Sequence, residues 1–263
     1  MERLIATGGF ERLTATQLFV PTCDINIQDI MNRYSNLTIL EEQALLAFLV
    51  AEKANGNLCF YDEFYPWFLT DTVDSLTAFF DLVGVNFGSI KTLFGYDFNG
   101  IDQYIETNFI PNLAKVMKFE SACCATFFKK TTALGATGDG FLGVEDGVFR
   151  DGLSDYNPLR CFFQTTSPGD MSVSVIPAET LVSWDLNENI RSAYLNGVLD
   201  NQVSETLQGV PTVSYLVGCM RRAGIPQRFT LSEQMFLMVG GYGLDHDKFN
   251  TNIRTMFTTL GLI

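Results

Sequence analysis

The chain has 263 residues with 17 Lys and Arg against 30 Asp and Glu, a net charge of −13 that repels phosphate backbones and anionic headgroups and argues against direct nucleic-acid binding. An apolar fraction of 47%, with 23 Phe and 9 Tyr, is enough to fill a sizeable interior and argues against general disorder. No stretch reaches the roughly 18 uncharged apolar residues that a membrane-spanning helix requires, so no membrane insertion is expected.

Residues 1–35 mix Thr, Gly and Pro with short apolar runs, and Pro21-Thr22-Cys23-Asp24 has turn chemistry, which makes this segment an N-terminal arm. The opening MERLIATGGFERL carries Glu2 and Glu11 and has no apolar h-region, so it is not a secretory signal. Synthesis in the cytoplasm and free thiols are therefore expected for the six cysteines at 23, 59, 123, 124, 161 and 219, which show no CxxC or Cys/His metal spacing. Without a signal, the sequon Asn36-Leu37-Thr38 is a helix cap instead of a glycosylation site.

Thr38-x-x-Glu41 is a capping box, Leu45, Leu46, Leu49 and Val50 recur at helical spacing, and Asn55-Gly56 is a stop, so a helix is predicted over 39–54. The aromatic run from Cys59 to Phe68, with Asp62-Glu63 inside it, is a core plug joining two helices or a ligand platform. A helix capped by Thr70 or Asp71 is predicted to reach Leu82, two short helical pieces fill 86–108, and a longer helix runs from Pro111 to Lys129-Lys130. Cys123-Cys124 fall inside that helix as small buried hydrophobes.

Seven glycines and two prolines between 133 and 170 give that stretch loop character, with short strands at Arg160–Thr165 and Met171–Ile176. Helices are predicted again over 187–207, 211–222, 231–239 and 246–260. The resulting fold class is α+β and mainly helical: two helical blocks flank a glycine-rich insert with a few short β-strands. After the arm (1–35) the rest (36–263) is one globular domain, helical over 36–130, loop and β over 131–185, helical over 186–263.

No catalytic or cofactor-binding residue is assigned, and no cofactor is expected. The run Gly138-Asp139-Gly140-Phe141-Leu142-Gly143 lacks the GK[ST] ending of a phosphate loop. Asp139, Glu145 and Asp146 are weak Ca²⁺ candidates, because acidic oxygens suit Ca²⁺ while the order of an EF-hand is missing. His246, the single histidine, lies between Asp245 and Asp247 at a helix start, where capping explains the aspartates without a substrate. By elimination, the sequence points to a soluble structural or assembly protein. It would be a subunit of a larger particle such as a virion, acting through protein–protein surfaces with other subunits in a homo- or hetero-oligomer. Two alternatives stand beside it: a glycosidase-like hydrolase using paired carboxylates, for which Asp62-Glu63 amid aromatics is the candidate, or a Ca²⁺-stabilised binding module.

Overall fold

The computed structural model describes residues 24–131, 139–146, 150–155, 159–165, 171–174, 179–204, 206–222 and 224–263. The chain runs through α1 (Ile27–Met31), α2 (Ile39–Ala54), β1 (Tyr61–Tyr65) and α3 (Thr72–Leu76) into four short strands, β2 (Val85–Phe87), β3 (Ile90–Lys91), β4 (Tyr96–Asn99) and β5 (Tyr104–Glu106). Then come β6 (Ser121–Thr131), β7 (Asp139–Glu145), β8 (Arg150–Asp155), β9 (Leu159–Thr165), β10 (Met171–Val173), β11 (Thr180–Asn187), β12 (Ile190–Leu195) and β13 (Val198–Ser204). The remaining elements are β14 (Leu216–Val217), β15 (Met220–Arg222), β16 (Ile225–Gln227), β17 (Leu231–Gly240) and α4 (His246–Thr259).

The strands form two sheets. One has the order β13-β12-β11-β6-β17-β4-β3, with β1 also paired to β17; the other has the order β10-β9-β8-β7-β14-β5-β2, with β15 on β7 and β16 on β15. Among the described strands, the pairings are antiparallel except β15 with β7. The sheets pack face to face, since Phe128 of β6 meets Phe141 of β7 edge-on at 4.8 Å, and Trp184 of β11 meets Phe163 of β9 at 6.0 Å. A second core lies on the other face of the first sheet, where α2 and α4 bring Phe48, Leu49, Phe249 and Phe257 against Phe127 and Phe236. The molecule is thus a β-sandwich with a helical layer on one side.

The mainly helical expectation is therefore corrected: two large sheets replace the helical blocks. The reason is visible in β6 and β17. Cys123, Ala125 and Phe127 face the helices while Ala122, Cys124 and Phe128 face the second sheet, and Met238 and Val239 divide likewise. A strand buried on both faces shows a continuous apolar run, without the alternation that marks a half-buried strand. Among the described residues, the segments 86–108, 111–130, 187–207, 211–222 and 231–239 form strands and loops in place of the predicted helices, keeping only a 3₁₀ turn at Pro111–Leu113. The helix after Asp71 is a single short one, although Asp71 caps it as expected through bonds from Val73 N and Asp74 N, each 2.9 Å.

Where local capping chemistry was explicit, the expectation holds. Thr38 Oγ1 accepts from Glu41 N at 3.2 Å, and Glu41 Oε2 accepts from Thr38 N at 2.8 Å, so α2 starts at Ile39. Asp245 Oδ1 accepts from Lys248 N at 3.1 Å and starts α4. Residues 1–23 of the predicted arm lie outside the described residues, while α1 inserts Ile30 and Met31, and the turn after it Tyr34, into the helix-side core.

Among the described residues, the glycines of the supposed insert, Gly140, Gly143 and Gly152, belong to strands. Gly143 and Gly152 oppose each other across β7 and β8 with φ of +134° and +150°, and a Cβ on either would sit 2.7 Å from the Cα of the other. Substituting Gly152→Ala is expected to lower stability by about 2–4 kcal/mol, from a clash with backbone in a left-handed conformation, measurable by urea unfolding. Cysteine chemistry also departs from expectation: Cys123, Cys124, Cys161 and Cys219 are free and buried, but Cys59 is disulfide-bonded. An intrachain bond withdraws two thiols, so the denatured, unreduced chain should take up four equivalents of alkylating reagent and six after reduction; six before reduction refutes the bond.

Candidate functional site

Strand β1 carries a bulge. Tyr61 pairs with Gly240 and Glu63 with Val239, so Asp62 is the extra residue, and both carboxylates line one cleft instead of pointing to opposite faces. Gly240 permits the close pairing, because a Cβ there would run into the Phe60 carbonyl. Each carboxylate then pins a loop. Asp62 accepts backbone N–H bonds from Lys115 at 2.6 Å, Val116 at 2.7 Å and Met117 at 2.5 Å, while Glu63 accepts from Phe80 and Asp81, both at 3.1 Å.

Between the two pinned loops lies a cleft of about 170 Å³. Its walls are apolar, from Leu82, Phe109, Ile110 and Leu113, and its polar groups are Asp62, Glu63, Asp81, Asn108 and Lys115. Asp81 and Lys115 form an exposed ion pair at 2.5 Å across the mouth. Burial is the main cause that pushes the Glu63 carboxyl up to about 6, with the neighbouring Asp81 charge adding to it. Burial also raises Asp62. Asp81 moves the other way, held down by its bond to Lys115. One cleft therefore holds a carboxyl that keeps its proton towards pH 6 and a carboxylate that stays ionised. The aromatics beside them do not contribute a sugar platform: Phe64, Tyr65, Trp67 and Phe68 are buried in the two cores, as a core plug requires.

A second constellation was not visible in the sequence. Ser183 and Asp185 lie two residues apart on β11 and so share a face, and His246 at the start of α4 sits over them. His246 Nδ1 is 2.7 Å from Ser183 Oγ and Nε2 is 2.9 Å from Asp185 Oδ2, with the Tyr194 ring stacked on the imidazole at 3.7 Å. The residue types match a nucleophile, base and orienting acid. The accessibility does not. Ser183, Asp185 and His246 are all buried, which leaves no room to present a substrate carbonyl to the hydroxyl. The network ties α4 to the sheet.

The Ca²⁺ candidates are not brought together. Asp139 and Glu145 occupy opposite ends of β7, six residues or about 20 Å apart along an extended strand. Asp146 accepts from Thr212 N at 3.2 Å. Among the described residues, no group of three or more His, Cys, Asp or Glu side chains is placed to hold a metal ion.

No protein-family model matches the sequence, and no curated protein sequence matches it. Similarity appears in the fold. Trypanosoma rangeli sialidase superposes with a TM-score of 0.53 at 12% identity over 84% of this chain and 39% of that one. A mutant of the same sialidase displaying trans-sialidase activity gives 0.53 at 14% over 84% and 40%. An HCR/D W1238A mutant gives 0.50 at 14% over 70% and 48%. The chain spans about two fifths of the sialidase chains and about half of the HCR/D chain, so the likeness concerns the sandwich architecture alone. The expectation of a mainly helical virion component is overturned: the fold is β, and these solved structures of similar fold are sialidases and HCR/D.

His246→Gln is expected to destabilise the chain by about 1–3 kcal/mol, because it breaks two buried hydrogen bonds and leaves Asp185 poorly paired. Chemical unfolding of both proteins at pH 7 measures it, and a change below about 0.5 kcal/mol would show that the network carries no stability.

Proposed function

We propose that this chain is a glycan-binding β-sandwich that takes a neutral sugar ring in the Asp62–Glu63 cleft. The observation that carries this reading is the cleft itself, where apolar walls meet exposed Asp81, Asn108 and Lys115 across a mouth fixed by two pinned loops. A sugar presents both C–H faces and hydroxyls, and it needs apolar contact together with convergent acceptors and donors. The volume of about 170 Å³ lies below the ~300–1,000 Å³ of a cleft that takes a drug-sized ligand, which suits one ring and not a long oligosaccharide. Neutral sugars are favoured over acidic ones, since the cleft holds three carboxylates against one lysine, that lysine is neutralised by Asp81, and the chain carries −13 overall. The likeness to sialidases supports a carbohydrate role only at the level of architecture.

A second reading, glycoside hydrolysis, is favoured by one observation. Glu63 holds its proton up to about pH 6 while Asp81 stays ionised, and that split suits a general acid and a second carboxylate. Binding ranks first because both Glu63 oxygens already accept backbone N–H bonds, which hold the side chain against the protein instead of offering it to a leaving group.

Calorimetric titration with neutral and sialylated oligosaccharides tests both readings. A neutral glycan should bind, and Asp81→Asn with Lys115→Ala should weaken it at least about tenfold, the cost of losing one or two hydrogen bonds, at an unchanged thermal midpoint. Equal binding by the double variant, or no glycan bound, would remove the proposal. Turnover of a fluorogenic glycoside that falls with a midpoint near pH 6 and disappears in Glu63→Gln would replace binding by hydrolysis.

A further inference from the structure

The outer surface of the helical layer offers a second site of interaction, independent of the cleft. Eight residues of α2 are exposed, and six of them are apolar: Ile39, Leu40, Leu46, Ala47, Val50 and Ala54. The other two are Glu42 and Gln43. Ile39, Leu46 and Val50 lie at helical spacing along one line, with Ile39 exposed to 76% and Val50 to 52%. An amphipathic surface helix normally turns its charged face to water, so a helix apolar on both faces is one that a partner covers.

Beside this ridge runs a shallow groove. α2 and α4 lie antiparallel, with Glu52 bonded to Asn252 at one end and Leu40 beside Leu260 at the other. The groove of about 130 Å³ between them is floored by small α2 residues, Ala44, Ala47 and Ala51, and flanked by Thr255 and Thr259 of α4. Beyond its first turn, α4 exposes Thr251, Thr255, Thr258 and Thr259, and its one charged residue there, the half-buried Arg254, bonds to the Glu179 carbonyl and to Asn196.

We propose that this face is where two copies of the chain meet, α2 against α2 about a two-fold axis. Three features select a second copy. A ridge of large side chains next to a groove of small ones is self-complementary, because a two-fold rotation seats the ridge of each copy in the groove of the other. Charge selects the same face: a chain of −13 repels its own copy, and here one exposed carboxylate, Glu42, is the main charge. In the antiparallel arrangement Glu42, near the N-terminal end of one α2, approaches Lys53 near the C-terminal end of the other, and the helix dipoles oppose. The area is also sufficient. Two helices side by side offer a face of roughly 20 by 24 Å, about 1,000 Å² in total over both copies, at the lower bound for a specific interface and so in the range of a weak, reversible dimer.

Sedimentation velocity on the full chain across a range of concentrations tests this. The wild type is expected to pass from monomer to dimer as concentration rises into the micromolar range, whereas Leu46→Glu with Val50→Glu remains monomeric at the same concentrations and keeps its thermal midpoint, both positions being exposed. A wild type that stays monomeric throughout overturns the proposal. So does a double variant that dimerises equally, which would place the contact elsewhere. A chain lacking residues 1–23 that dimerises when the full chain does not would assign this face to those residues and also overturn it. If the double variant unfolds, Val50→Lys alone is read instead, with the same two outcomes.

Discussion

The central strands of the first sheet, β6, β11 and β17, are buried on both faces, and that condition governs the rest of the molecule. A strand with the second sheet on one side and helices on the other has no solvent face on which to place its polar groups, so each polar atom in it must find a partner within the protein. Thr126 bonds to the Phe236 carbonyl, Gln234 donates to the Phe141 carbonyl of the opposite sheet, and His246 meets Ser183 Oγ and Asp185 Oδ2 beneath α4, while Thr180 Oγ1, Trp184 Nε1 and Asp185 Oδ1 of β11 are buried without a partner. The same condition fixes where chemistry can meet water. Only an edge strand can offer a carboxylate to a cleft, and β1 does so by inserting Asp62 as a bulge.

The bulge couples fold to site. Asp62 and Glu63 each satisfy the backbone of a different loop, and the space between those loops is the cleft, so the residues that shape it also set its electrostatics. Burial raises the Glu63 carboxyl to about 6, which has a consequence for stability. The unfolded chain releases this proton near 4.5, so the neutral carboxyl favours the fold below that pH, and the advantage fades as the pH climbs through about 6. Asp151, buried against Tyr215 and raised to about 7 chiefly by burial, acts in the same direction over a slightly higher window. Both groups oppose the usual pattern in which paired carboxylates make a protein less stable in acid.

What the sequence made legible follows from this architecture. Helix starts were readable at Thr38, Asp71 and Asp245, because a cap is a local arrangement of one side chain and the next few amides. The short strands β9 and β10 were readable, β10 from the alternation of Met171 and Val173 with Ser172. β6 and β17 were not, since burial on both faces erases the alternation that distinguishes a strand from a helix. The Gly143–Gly152 pair misled for a related reason: glycine there serves a close approach between strands, and composition alone gives the same signal as a loop. Of the cleft, Asp62-Glu63 could be singled out as paired acids amid aromatics, but Asp81, Asn108 and Lys115 carry no local signal. Asp81 and Lys115 reach the site through backbone bonds to the very carboxylates they accompany, and Asn108 through its bond to the Val83 carbonyl.

The cleft and the helical face do not compete for the same residues. The cleft draws on β1 and on loops near 81 and 108–115, while the face belongs to α2 and α4, so a two-fold pairing through the helices leaves two clefts open on one particle. This matters because a cleft of about 170 Å³ with few polar groups can supply only modest affinity for a single sugar. Two such clefts held at a fixed separation convert the second contact into an intramolecular event, and the gain depends on their spacing and on the density of sugars opposite them. A weak site and a weak dimer are then consistent with each other: the first makes binding reversible at one ring, and the second makes retention depend on a surface that carries many.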